Sequence, residues 1–252
     1  MTKNALTRDA FLSGRVHLWQ PEKGYRAGVD PVFLAAAVPA KPGQTVLELG
    51  CGAGAALLCL HARVSGLRLT GVELQAAYAE LARRNVTEAK ATAEIIQADI
   101  SQLPVEVRQK RFDHVLMNPP YFDRDKGSAS PDALRNAAMG EATPLAVWMD
   151  AGIRRVGPKG YLTVIHRMER LPEVLELVKN RMGSLIVLPL AGRSGRPAER
   201  FILQARQEGR APFRLLPPWV LHAGASHDGD KESYTPRIKA VLRDAQALTL
   251  PS

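Results

Sequence analysis

Val46-Leu47-Glu48-Leu49-Gly50-Cys51-Gly52-Ala53-Gly54 decides the fold. Its first four residues are an apolar run broken by one carboxylate, as in a strand buried on both faces of a parallel sheet. Glycines at alternate positions then permit a tight turn and close approach of a ligand to the backbone. Ala55 to Val64 continues as a helix. Outward from this unit, Leu67 to Val72 reads as a strand, Gln75 to Val86 as a helix, Ile95-Ile96 as a third strand and Asp113 to Met117 as a fourth. Pro144 to Val156 follows as a helix capped by Thr143. Tyr161 to Ile165 is a fifth strand, Pro172 to Met182 a helix, and Leu185 to Leu188 and Phe201 to Ala205 two further strands. Strands alternating with helices imply a parallel-based α/β sheet with right-handed crossovers and helices on both faces. The last two strands have no helix between them, so the final one is expected to run antiparallel in a seven-stranded mixed sheet.

The flanks are read as parts of one domain spanning 1–252: an N-terminal segment, 1–40, a core, 41–207, and a tail, 208–252. Residues 1–14 are polar and expected to fray. Arg15 to Gln20 alternates like a strand, and Asp30 and Pro31 suit the N-cap and first turn of a helix reaching Val38. In the tail, Thr235 caps an amphipathic helix with Ile238, Val241 and Leu242 on its apolar stripe.

Hydrophobic residues make up 46% of the chain, enough for a large core, and the net charge of +9 suits a polyanionic partner. Two cysteines, Cys51 and Cys59, cannot build a disulfide framework, and the histidines show no ligand spacing, so no metal is expected. Met1 to Leu12 lacks the apolar core of a signal peptide, and Val32 to Val38 is too short to span a bilayer. A cytoplasmic protein without a membrane partner is expected.

Chemistry gathers at the strand ends. Glu48 precedes the glycines. Glu73 closes the second strand about 20 residues past the loop, where a carboxylate can bind both hydroxyls of a ribose. Asp99 follows the third strand, where it can accept from an adenine amine. Nothing basic lies in the glycine loop to neutralise phosphates, so the set fits an adenosine without a pyrophosphate. Asn118-Pro119-Pro120-Tyr121 follows the fourth strand. Proline cannot donate to a ladder, so the strand stops there. The Asn118 side-chain oxygen and the Pro119 carbonyl can each accept a hydrogen from a planar amine, and Tyr121, with Phe122 beside it, can stack on the group that carries it. The polar stretch 123–142 reads as a candidate lid. Arg193, Arg196 and Arg200, before the last strand, make a candidate rim for a nucleic-acid backbone.

This order of glycine loop and acidic residues resembles the class I S-adenosylmethionine-dependent methyltransferases, and Asn-Pro-Pro-Tyr resembles their amino-methylating branch. Gln20 to Asp30, Gly195 to Gln204 and Tyr234-Thr235 resemble the bacterial tRNA(Val) anticodon-loop adenine-N6 methyltransferases. The resemblance implies a Rossmann-like fold, S-adenosylmethionine as cofactor, and methylation of an exocyclic amine, adenine N6 in tRNA. It implies that Glu48, Gly50, Cys51 and Gly52 line the methionine end of the cofactor. Glu73 and Asp99 would hold ribose and adenine, Arg26 and Asp30 would close the site, and Asn118, Pro119 and Tyr121 would serve the reaction, Asn118 also bordering the cofactor. Glutamine-N5 protein methyltransferases and DNA adenine methyltransferases share the core, the former normally with a separate N-terminal helical domain, the latter with an extra recognition region. A non-enzymatic cofactor-binding subunit would be expected to lose Asn-Pro-Pro-Tyr.

Overall fold

A computed structural model describes residues 5–120, 143–224 and 233–251. The elements run β1 (Leu6–Phe11), β2 (Val16–Pro21), α1 (Asp30–Ala37), β3 (Thr45–Leu49), α2 (Ala55–Arg63), β4 (Arg68–Glu73), α3 (Ala76–Glu88), β5 (Ala93–Gln97), α4 (Val105–Arg108) and β6 (Phe112–Met117). They continue with α5 (Leu145–Arg155), β7 (Val156–Arg167), α6 (Leu171–Val178), β8 (Gly183–Ala191), β9 (Ala198–Arg206), β10 (Arg214–Leu215), β11 (Trp219–Val220) and α7 (Pro236–Asp244). The main sheet has the order β10-β8-β9-β7-β6-β3-β4-β5, with β11 also on β8.

All seven expected strands are present as β3 to β9, and β9 pairs antiparallel with both β7 and β8. Among the described residues, two short strands, β10 and β11, extend the sheet to nine. Alternation along each strand divides the core. Val46, Leu116, Ile165 and Ile202 pack towards α1, α2, α3 and α7, whereas Leu47, Met117, Val164 and Leu203 pack towards α5 and α6.

Three expectations at element ends are corrected. Leu6–Phe11 does not fray: it pairs antiparallel with β2, from Leu6 opposite Pro21 to Phe11 opposite Val16. Asp30 is the first residue of α1 rather than its cap, which is Val29. Thr143 does not cap α5; Pro144 occupies that position and has no side-chain acceptor for the helix's free N–H groups. Thr235 does sit at the N-cap of α7, but its hydroxyl donates to the Val220 carbonyl at 3.0 Å, tying the helix to β11 instead of satisfying the helix's own N–H groups.

Candidate functional site

Parallel pairing brings the strand ends to one edge. Leu49 lies opposite Val72 on one side and Met117 on the other. Gly50 is therefore level with Glu73 and Asn118, the next residues of β4 and of the chain after β6. Asp99 follows the end of β5, and Arg167 and Arg200 face each other where β7 ends and β9 begins. Sheet register alone thus collects Glu48, the glycines, Glu73, Asp99, Asn118 and Arg200 on one rim, the usual ligand edge of an open α/β sheet.

The glycine loop is built for close approach. Gly50, Gly52 and Gly54 all have positive φ, +69°, +53° and +88°. Gly50 N and Cys51 N both donate to the Val72 carbonyl, at 2.8 and 3.0 Å. The Glu73 carboxylate accepts from Gly52 N at 2.8 Å and from Gln75 N at 2.9 Å. An ionised carboxylate has about four acceptor sites, so this bridging leaves room for a diol. Asp99 accepts from Ser101 N at 2.7 Å through Oδ1, capping the short turn Ile100–Gln102.

Glu48 is 4% exposed, and its side chain accepts from Leu57 N at 3.2 Å. Burial pushes its pKa well above the ordinary 4.5, and the nearby Glu73 raises it further, while the Leu57 bond pulls the other way. Such a carboxylate ionises readily once a cation arrives. The sign of the pH effect follows. The stability Glu48 contributes is whole below pH 4.5 and is lost as pH rises through its raised folded value. Glu48→Gln is accordingly expected to melt higher than the parent at pH 8, with the difference gone near pH 4, while binding a cationic ligand more weakly. Thermal melts across pH, with calorimetry of cofactor binding, test this. A lower melting temperature for the variant at pH 8 would contradict it.

Several expected residues do something else. The Cys51 thiol turns into the core, so that a Cβ on Gly71 would lie 2.8 Å from its Sγ, and burial raises its pKa; the side chain is inert packing and only the backbone borders the loop. The Arg26 guanidinium donates to Thr7 Oγ1, the Pro21 carbonyl and Asp9 Oδ2, at 2.8, 3.2 and 2.7 Å, fastening the hairpin β1–β2 to the segment after it. Arg193 is not at a phosphate rim. It is 6% exposed and donates to the Ala223 and Gly224 carbonyls at 2.6 and 2.9 Å, locking two loops together. Arg200 and Asp30, expected in different roles, form an ion pair with Nε donating to Oδ2 at 2.8 Å. Arg196 is exposed, as a rim residue should be. Tyr121, Phe122 and the stretch 123–142 lie outside the described residues.

Three further residues shape the loop. Asn85 on α3, fully buried, accepts from Trp19 N at 2.8 Å and donates to the carbonyls of Trp19 and Ala53 at 3.1 and 2.9 Å, pinning hairpin and glycine loop to one helix. Trp148 on α5 packs its benzo edge against Gly50. Tyr25 lies over Gly52, whose added Cβ would meet its Cε1 at 3.8 Å.

Known proteins resemble this chain in sequence and in fold. A methyltransferase domain model matches residues 46–138. A tRNA1(Val) (adenine(37)-N6)-methyltransferase of Porphyromonas gingivalis is 30% identical over 197 residues, covering 72% of this chain and 76% of that protein. The chain belongs to this methyltransferase family. A similarly named enzyme of Cronobacter sakazakii is 31% identical over 132 residues, 51% of this chain but only 54% of that one. In fold, a predicted O-methyltransferase from Agrobacterium tumefaciens superposes with a TM-score of 0.66 at 23% identity, covering 86% of this chain and 97% of that one.

The methyltransferase uses S-adenosylmethionine, and its residues fit that cofactor: a cradle of three positive-φ glycines, a buried carboxylate at Glu48, a bridging carboxylate at Glu73 and an acceptor at Asp99. No group of three or more His, Cys, Asp or Glu suited to a metal occurs among the described residues. None of the described helices is long and apolar enough to cross a membrane.

Proposed function

We propose that this methyltransferase transfers a methyl group to N6 of an adenine in a tRNA anticodon loop, adenine 37 of tRNA(Val). The observation that carries the reading is the position of Asn118: level with Gly50 on the neighbouring strand, and followed by two prolines that end the strand. The names borne by its relatives support the same substrate.

The bound cofactor supplies an electrophilic methyl on a sulfonium. The protein supplies position. An adenine amine is a poor nucleophile because its lone pair is delocalised into the ring. Asn118 Oδ1 and the Pro119 carbonyl would each accept one amine hydrogen, drawing the nitrogen towards sp3 geometry and aiming its lone pair. Fixed acceptors of this kind stabilise the transition state without reorganising at the moment of reaction. Glu73 would hold the ribose, Asp99 the adenine of the cofactor, and Glu48 with Gly50 and Gly52 its methionine end.

The base must be unpaired or extruded to reach the rim. Beyond Asn118, a cleft of about 500 Å³ is lined by Arg167, Met168, Glu169, Ala198, Glu199 and Arg200. It lies where β7 ends and β9 begins, so it would receive the nucleotide carrying the amine. Arg167 pairs with Glu169 at 3.0 Å and Arg200 with Glu199 at 3.7 Å. The lining thus offers both donors and acceptors rather than a uniformly basic wall.

Nucleoside mass spectrometry of a tRNA1(Val) transcript treated with enzyme and cofactor should reveal N6-methyladenosine, absent when guanine replaces adenine 37. Methylation of a release-factor glutamine peptide with none on tRNA would overturn the reading. A second test follows from exposure. Arg196→Ala should lower the slope of log K against log salt for RNA binding by about 0.7. Arg193→Ala should instead lower the melting temperature, because it removes a buried latch. An unchanged slope in Arg196→Ala would remove that residue from the RNA path.

A further inference from the structure

S-adenosylmethionine and its spent product, S-adenosylhomocysteine, share adenosine, ribose and the amino-acid zwitterion. They differ by one methyl group and one positive charge. Carboxylates that hold the ribose or the zwitterion meet the same groups in both ligands. Discrimination between the two needs an element that senses the sulfonium charge.

Tyr25 is placed to be that element. It is 57% exposed. Its environment shows why it stands there. The ring lies over Gly52, where an added Cβ would meet Cε1 at 3.8 Å. Tyr78 fixes it from behind: the Tyr78 hydroxyl donates to the Tyr25 carbonyl at 2.9 Å, and the two rings meet edge to face at 6.4 Å and 63°. Asn85 holds both the loop under the ring and β2, the strand just before Tyr25. Desolvation of the hydroxyl first, and then the fields of Glu48, Asp30 and Glu73, lift the phenol's pKa to about 12 although much of the ring is open to solvent. It remains neutral at physiological pH, and a phenol ring carries the π density that attracts a cation.

We propose that Tyr25 is the charge-reading wall of the cofactor site, its π face favouring the sulfonium of S-adenosylmethionine over the neutral thioether of the product. Cation–π attraction in partly desolvated sites corresponds to about 3–30-fold in affinity. Methyl transfer removes the charge and with it this attraction, which promotes product release. The proposal rests on the cofactor assignment and is independent of the identity of the methyl acceptor.

The test is calorimetry of the full-length protein with three ligands: S-adenosylmethionine, S-adenosylhomocysteine and sinefungin, which carries an ammonium near the sulfonium position. Tyr25→Leu should weaken the two cationic ligands about 3–30-fold and the neutral one less than about twofold. Tyr25→Phe should match wild type for all three. If the leucine variant fails to fold, phenylalanine and its fluorinated analogues at position 25 take its place. Affinity for the cations should then fall stepwise as fluorine withdraws π density, with the neutral ligand unaffected. Equal weakening of all three ligands would make Tyr25 a cover for the adenosine and overturn the proposal, as would no weakening of any. Failure of the wild type to bind S-adenosylmethionine would instead strike at the cofactor assignment.

Discussion

Asn118→Ala is expected to slow methyl transfer about 10²–10³-fold, the usual cost of one lost preorganised acceptor or donor at a reacting centre. Cofactor affinity should change little. The separation follows from position. Glu73 holds Gly52 from β4, and Glu48 lies under the loop on β3, whereas Asn118 follows β6 on the other side of Gly50. The acceptor matters most as the amine pyramidalises, so its loss should appear in kcat and leave ground-state binding of the cofactor nearly untouched. Asn118→Asp provides the control: a carboxylate still accepts, so part of the rate should survive. Single-turnover transfer to unmodified tRNA, with cofactor binding measured separately by calorimetry, reads both quantities. Full activity in Asn118→Ala would sink amine methylation by this site, whatever the RNA.

The legible parts of the chain were those whose cause is local. A buried parallel strand has to be an apolar run, and a loop with φ above zero at alternate positions has to use glycine there. Strands β3 to β9 and the cradle at Gly50, Gly52 and Gly54 could therefore be read in order. β1 escaped because Leu6-Thr7-Arg8-Asp9-Ala10-Phe11 alternates between half-buried and exposed positions and carries little apolar signal. Its pairing with β2 is what makes it a strand. β10 and β11, two residues each, are too short to carry a period.

The errors at the site have the opposite cause. Arg193 and Arg196 are three residues apart in one glycine-containing turn, yet only Arg193 is buried. The carbonyls that bury it belong to Ala223 and Gly224, and nothing near Arg193 in sequence announces them. Asp30 looked like a helix cap because Pro31 follows it; its partner Arg200 is 170 residues away. Tyr25 follows the bend at 22–24, with no local sign that its ring would meet Gly52. Local chemistry specifies which residue types a rim can use, but long-range packing decides which of them face the ligand.

Gly50→Ala is expected to cost about 2–5 kcal/mol of stability, and Gly52→Ala only about 1–2. Both glycines have positive φ, +69° and +53°, so a Cβ is strained at either. Space separates them. At Gly50 the added atom would lie 2.4 Å from Trp148 Cη2 and 2.8 Å from Cζ3, inside contact distance of a ring embedded in the α5 side of the core. At Gly52 the nearest atom is Tyr25 Cε1 at 3.8 Å, an ordinary van der Waals contact that requires no displacement. Gly50→Ala must therefore displace either α5 or the loop that Val72 holds in place. Cofactor affinity should fall together with the melting temperature in this variant, because the displaced backbone is the cradle itself. A double-mutant cycle isolates the steric part: Trp148→Leu is destabilising alone, through the cavity it leaves, but should recover some of the loss when combined with Gly50→Ala. Additive effects in that cycle, or equal losses in Gly50→Ala and Gly52→Ala, would show that Trp148 does not buttress the loop and that backbone strain alone accounts for the glycines.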